Sequence, residues 1–274
     1  MLISTLLGDS FYSLFGDPTN PLVVIIHGIT SSSSNMVQIA KSLSNQGLYV
    51  LTFDLPGHGE SASFTTQIST EILIEHVESL LSSLSLLSRP FHLIGHSMGG
   101  CIAVILAASS LFTISSLTLI APYIAPDNEP FAAKFLRVPL LNKLILKVMG
   151  GSQLIQHLAD SNKNPATVQF LQDELLQLFS KRPEFLTSTF LNYYCNVLNV
   201  NFSHSYSFVG RSSLPVMYLR GDGDLVIPDS SMKMALGCLP EVKVVIAEGF
   251  GHEIQVEAPE FIVEHCVQFL HDLN

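Results

Sequence analysis

From its amino terminus the chain alternates short apolar runs with longer stretches in which apolar residues recur every three or four positions. Leu22 to His27 is an apolar run of the kind that forms a strand buried on both faces. A serine-rich turn follows, and Asn35 to Gln46 predicts a helix with Met36, Ile39, Ala40 and Leu43 on one face. Tyr49 to Asp54 predicts the next strand, stopped by the breaker sequence Pro56-Gly57-His58-Gly59. Thr70 to Leu87 sets Ile72, Leu73, Val77, Leu80, Leu81 and Leu84 at helical spacing. Phe91 to Gly95 predicts a strand, Met98 to Ala108 a helix and Leu117 to Ile120 a further strand. Such alternation of strand and helix makes a parallel sheet.

The rhythm then breaks. From Tyr123 to Ser212, roughly ninety residues keep helical periodicity without a convincing strand. Pro215 to Arg220 resumes the strand pattern, Glu241 to Ala247 adds another, and Pro259 to Leu273 closes the chain as an amphipathic helix. The pattern predicts one α/β domain with a mostly parallel central sheet flanked by helices. It takes in residues 1–122 and 213–274, interrupted by a helical insertion over 123–212. No repeat of solenoid length is evident, and Ser31 to Ser34 is the only low-complexity run.

Composition narrows the function classes. Apolar residues make up 47% of the chain and charged residues 13%, about half the usual ~25%, which excludes a disordered protein. With 13 Lys+Arg against 23 Asp+Glu, a net charge of −10, the chain is too poor in cations to neutralise a nucleic-acid backbone. Cys101, Cys195, Cys238 and Cys266 are too scattered for a disulfide ladder or paired zinc ligands. The first 40 residues hold no Lys or Arg to flank a secretory signal, so a reducing, cytoplasmic setting is expected. The charge-free run from Phe91 to Pro126 exceeds the ~20 residues that span a bilayer. Gly95, Gly99 and Gly100 open it and Pro122 and Pro126 close it, so it predicts strand–helix–strand instead.

Gly95-His96-Ser97-Met98-Gly99 matches Gly-x-Ser-x-Gly, set between a predicted strand and a predicted helix. In that setting a tight turn lifts the serine above the sheet edge, and the helix N-terminus faces developing negative charge. A serine hydroxyl needs a base to take its proton. Of the ten histidines, His252 follows the strand Glu241 to Ala247 in a glycine-flexed loop that can overhang the nucleophile. His265 and His271 belong to the closing helix, His76 to an exposed helix face, and His157 and His204 to the insertion. His27, His58 and His96 abut turns, where they are candidates to support the site. The base in turn needs a carboxylate to orient it. Asp224, just beyond the strand Pro215 to Arg220, completes the chain order Ser97, Asp224, His252; Asp222 competes from the same loop.

Taken together, these landmarks resemble the α/β-hydrolase superfamily over essentially the whole chain. They are the strand ending in His27-Gly28, the segment Asp54-Leu55-Pro56-Gly57-His58-Gly59-Glu60-Ser61, the Ser97 turn, Gly221 to Pro228 with Asp224 in the acid position, and Gly251-His252. The resemblance implies an oxyanion hole made by the backbone N–H groups of Ile29 and Met98, and a structural role for Asp54 and the turn after it. It also implies that the insertion is a cap roofing the pocket. Ser97 stands where dehalogenase and epoxide-hydrolase relatives carry Asp, which implies an acyl-enzyme. No metal-ligand spacing or phosphate-binding loop occurs, so neither a metal nor a cofactor is expected.

The insertion departs from the rest of the chain in charge. Residues 123–212 carry eight Lys+Arg and six Asp+Glu, a balance of +2, which leaves −12 on the remainder. Between Pro130 and Ala159 there is no acid. Lys134, Arg137, Lys143 and Lys147 there punctuate a run containing Phe131, Phe135, Leu136, Leu140, Leu141, Leu144, Ile145, Val148 and Met149, which Pro139 must kink or divide. Such a stretch is either a cap helix with its lysines in solvent or a surface that meets a lipid interface or an acidic carrier. The expected activity is that of a serine hydrolase cleaving a carboxylic ester with an apolar, lipid-like part, as in the monoacylglycerol lipases and small carboxylesterases this layout resembles. C–C hydrolase, thioesterase and peptidase chemistry use the same triad, and a ligand receptor on the hydrolase scaffold is the non-enzymatic alternative.

Overall fold

The structure, a computed structural model, describes residues 1–125, 135–136, 138, 140–153, 156 and 164–273, with Met149 and Gly150 as backbone only. Phe131, Lys134, Arg137, Pro139 and His157, singled out above, lie outside the described residues. One sheet is built from β1 (Leu2–Thr5), β2 (Gly8–Phe15), β3 (Leu22–Ile26), β4 (Tyr49–Phe53), β5 (Phe91–His96), β6 (Ile114–Ile120), β7 (Val216–Gly221) and β8 (Lys243–Ala247). The spatial order is β1-β2-β4-β3-β5-β6-β7-β8. Strand β2 pairs antiparallel with β1 and with β4, and all other pairings are parallel.

The helices are α1 (Val37–Asn45), α2 (Thr70–Ser83), α3 (Met98–Ser109), α4 (Leu141–Ile145), α5 (Pro165–Lys181), α6 (Leu191–Asn196), α7 (Ser203–Gly210), α8 (Asp229–Cys238), α9 (Ile254–Glu257) and α10 (Pro259–His271). Side chains alternate across a strand, so a strand covered on both sides must be apolar at every position. In β3, Leu22, Val24 and Ile26 enter one core while Val23 and Ile25 enter the other. The first core is closed by α2, α3, α7 and α8, the second by α1 and α10. Helix α3 is buried from Met98 through Leu106, which explains why it is apolar all round.

This winding positions the site. Helix α1, which follows β3, covers one face of the sheet, and α3, which follows the adjacent parallel β5, covers the other. The loops leaving these two strands therefore diverge, opening a crevice at the strand C-termini where ligands of open α/β sheets bind. The loop after β3 carries Ile29 and the turn after β5 carries Ser97.

Several local readings change in three dimensions. The β1–β2 hairpin carries little apolar periodicity, because it lies at the sheet edge and buries only Ser10 fully. Helix α8 buries only Ser231 and Ala235, too few positions to leave a periodic signal in the sequence. His76 is not on an exposed face: it is 1% exposed, with Nδ1 3.4 Å from Thr5 Oγ1 and Nε2 3.4 Å from Ser10 Oγ. The hairpin, invisible to the periodicity of α2, is what covers it. The charge-free run resolves into β5, α3 and β6, and no helix among the described residues is long and apolar enough to cross a membrane.

The helical insert spans 141–196 and has a small core of its own around Leu146, Phe185, Leu186 and Leu191. It sits on the segment after β4. Arg182 donates to the Gly59 and Ser61 carbonyls and to Ser63 Oγ, while the Asn192 amide bridges the Ile68 N–H and the Thr66 carbonyl. Helix α7, by contrast, packs on α3, and Phe202, Tyr206 and Val209 belong to the first sheet core.

Candidate active site

Ser97 links β5 to α3 at φ 53°, ψ −118°, a conformation costly for any residue with a Cβ. The surroundings hold it there. Its N–H donates to the Ile120 carbonyl at 2.9 Å, and its own carbonyl accepts from Gly100 N–H at 2.9 Å and Tyr123 N–H at 3.2 Å. The flanking glycines are required by contact. A Cβ at Gly95 would stand 2.3 Å from the Gly99 carbonyl oxygen, and one at Gly99 would stand 2.4 Å from the Ile26 carbonyl oxygen. Gly95→Ala should therefore destabilise the protein by about 1–3 kcal/mol or more through overpacking against backbone. Thermal unfolding of the variant measures this, and an unchanged Tm would refute the close-contact argument.

The loops after β7 and β8 bring Asp224 and His252 together. They interlock through backbone: Gly223 N–H donates to the Phe250 carbonyl at 2.9 Å, and a Cβ at Gly221 would fall 2.2 Å from that same oxygen. Asp222 serves as a brace, accepting from Gly249 N–H at 2.8 Å, and is exposed. Asp224 is 6% exposed; its Oδ1 accepts from Val226 and Ile227 N–H at 2.9 Å each. That leaves Oδ2 for His252 Nδ1–H, 3.0 Å away. An Nδ1–H imidazole carries its lone pair on Nε2, which lies 3.0 Å from Ser97 Oγ.

Burial of His252 disfavours its charged form, but the Asp224 charge and hydrogen bond outweigh that, with help from Glu253, and raise its pKa. Burial acts on Asp224 in the opposite sense to its partners. The His252 charge and hydrogen bond and the two backbone N–H donors prevail, so its pKa is lowered. Around this pair sit two charged groups that sequence reading passed over. Arg220, 2% exposed, donates to the Asp224 carbonyl at 3.2 Å, and Glu253, 5% exposed, adjoins His252 and accepts from Gln255 Nε2. Glu253 directly follows His252 in the chain, but nothing in a local sequence window marks an acid as buried.

Two further histidines shape the loop after β3. His27 Nδ1–H donates to the Gly28 carbonyl at 2.7 Å, and its Nε2 accepts from Leu55 N–H at 3.0 Å. Because a peptide unit is planar and trans, holding the Gly28 C=O aims the Ile29 N–H in the opposite direction. His58 Nε2–H donates to the Ile29 carbonyl at 2.9 Å, and its ring meets Phe185 and Tyr193 of the insert edge-on. Gly28 lies against the Ser97 turn, its virtual Cβ 3.4 Å from Ser97 Cβ. Neither Ile29 N–H nor Met98 N–H donates to a protein group among the described residues.

A cavity of about 330 Å³ adjoins this arrangement, between the serine loop and α5. Thr30 and Glu253, one residue beyond Ile29 and His252, line it together with Asp54, Glu60, Glu174 and Lys181; Ser97 does not. Among the described residues, His96, His252 and Glu253 are grouped closely enough to hold a metal, their ligand atoms within 4.8 Å of one another. A cation there would compete with Ser97 and Asp224 for His252. All four cysteines are free thiols, and burial pushes Cys266 up to about 12, so it is unreactive.

Comparison with known proteins agrees with this architecture. A family model described as serine aminopeptidase, S33 (Hydrolase_4) matches residues 17–259. A monoacylglycerol lipase of Xenopus laevis is 29% identical over 278 residues, covering 96% of this chain and 79% of that protein. The dihydrolipoyllysine-residue acetyltransferase component of the acetoin cleaving system of Pseudomonas putida is 30% identical, over 95% of this chain and 66% of its own length. Among solved structures, a thermophilic esterase from Thermogutta terrifontis superposes with a TM-score of 0.77 over 100% of this chain and 98% of its own. At 19% identity that likeness bears on the fold alone.

Proposed function

We propose that this chain, which belongs to the serine aminopeptidase S33 family of α/β-hydrolases, cleaves carboxylic esters with an apolar acyl part through an acyl-enzyme on Ser97. The observation that carries the reading is the relay from Ser97 Oγ through His252 to Asp224 Oδ2, with both links at 3.0 Å. Ser97 Oγ attacks the acyl carbon as His252 Nε2 takes its proton, and the carbonyl oxygen becomes an oxyanion facing the Ile29 and Met98 N–H groups. The tetrahedral intermediate collapses when the imidazolium protonates the departing alcohol. Water, deprotonated by His252, then attacks the acyl-serine, and the imidazolium returns that proton to the departing Ser97 Oγ as the acid is released. Asp224 holds the imidazole tautomer and stabilises its charge. The helical insert serves as the cap in this reading, over a core that takes in residues 1–122 and 213–274 together with α7, which lies inside the expected 123–212 span but packs on α3.

An ester with an apolar acyl group fits the lipase among the relatives. The family description favours a second reading, aminopeptidase activity, which Glu174 and Glu253 beside the cavity support as partners for a substrate ammonium, Glu60 being paired with Lys181. A panel of p-nitrophenyl esters of rising chain length, run beside aminoacyl p-nitroanilides, separates the two. Turnover of the esters with an optimum at intermediate or long chains is expected. Turnover confined to the anilides would overturn the ester reading.

A further inference from the structure

The insert has a second apolar face that its own core does not use. Along α4 and the π-helical turn Leu146–Gly150 that continues it, Leu146 and Asn142 are each 8% exposed, Leu146 packing into the core around Phe185. The opposite side is apolar too, yet open: Leu140 is 83% exposed, Leu144 60% and Val148 72%. Lys143 and Lys147, each next to one of these residues, are exposed and form no ion pair among the described residues. A surface helix ordinarily turns polar residues outward, so a row of large aliphatics there marks a contact surface.

We propose that this face docks the protein on an anionic lipid bilayer, with Leu140, Leu144 and Val148 entering the acyl boundary and Lys143 and Lys147 meeting the headgroup phosphates. Charge selects the partner. The chain carries −10 overall, so an acidic surface repels it as a whole, but residues 130–159 contain no acid. This stretch therefore presents its lysines to anionic headgroups with no acid of its own to oppose them. Shape points the same way. The aliphatics protrude instead of lining a groove, and a fluid bilayer accepts protruding side chains where a protein partner would need a matching cavity.

The proposal is tested by co-sedimenting the full chain carrying Ser97→Ala with vesicles of phosphatidylcholine alone or with 30% phosphatidylglycerol, so that binding is read independently of turnover. Stronger binding to the anionic vesicles, weakened at high salt, is expected. At about fivefold per lysine near an anionic surface, Lys143→Gln with Lys147→Gln should lower partitioning roughly 25-fold. Leu144→Ser with Val148→Ser should lower it about tenfold or more on both vesicle types. All four positions are exposed, and thermal unfolding of the variants verifies that they fold. Binding indifferent to vesicle charge and to both pairs of substitutions overturns the proposal. So does loss of concentration-dependent self-association in those variants without any change in vesicle binding, which would make the occupant a second copy.

Discussion

Ser97→Ala is expected to lower kcat on a p-nitrophenyl ester by about 10⁴- to 10⁶-fold, leaving the residual rate that the oxyanion donors and binding alone provide. The loss is large because the nucleophile, base and acid act as a unit: His252→Ala should cost about as much, and a double variant little more. Asp224→Asn should cost about 10⁴-fold, since an amide lets the imidazole settle in the wrong tautomer. The pH profile separates this role from a merely structural one. Because the His252 pKa is raised above its ordinary 6.5, the neutral base is lost on the acid side of a midpoint above 6.5, and activity falls with it. Asp224→Asn should move that midpoint down, and Glu253→Gln should move it down by less, since Asp224 acts more strongly on His252 than Glu253 does. A Ser97→Ala protein that keeps its turnover would end the mechanism, and a midpoint below 6.5 in the unsubstituted protein would remove Asp224 from it.

The second large effect is on stability. Burial holds His27, His76 and His96 down to about 4, and burial with the nearby His27 charge holds His58 down to about 3. The unfolded chain titrates these groups near 6.5, so between that pH and about 4 the unfolded state binds protons that the folded state refuses. Their contribution is fully present above 6.5 and is lost as pH falls. Over two pH units each such histidine contributes roughly 2–3 kcal/mol of loss, and four together rival the ~5–15 kcal/mol that holds an ordinary domain folded. The lowered pKa of Asp224 adds acid lability, while the raised pKa of His252 opposes it. Urea unfolding at pH 7, 6, 5 and 4.5 should therefore show a steep fall in stability below pH 6. His76→Gln, which keeps a hydrogen-bonding side chain between Thr5 and Ser10 without the titration, should flatten part of that slope. Stability that stays level down to pH 4.5 would show that these rings are not buried as neutral groups.

The histidines also mark where local pattern ends. Ser97 was legible because one short motif carries both its chemistry and its backbone demand: Gly95 and Gly99 are needed by contacts within and beside the turn itself. His252 and the pair Asp222 and Asp224 were legible as members of loops following apolar strands, but choosing between the two acids was not. That choice depends on the backbone interlock of Gly221 and Gly223 with Phe250, a contact between loops from separate strands. His76 shows the same boundary from the other side. Its helical position suggested solvent, and only a hairpin with almost no periodicity of its own buries it.

By itself, then, the sequence determined the parallel α/β sheet, the helical interruption and the strained strand–turn–helix around Ser97, because those follow from runs, periods and a motif that are contiguous in the chain. The tertiary structure decided which carboxylate meets the imidazole and which acids and histidines are buried around it. It also decided which of two apolar faces of the 140–148 segment packs inward. Each of these depends on what an element packs against, and packing partners distant in sequence leave no mark on local spacing.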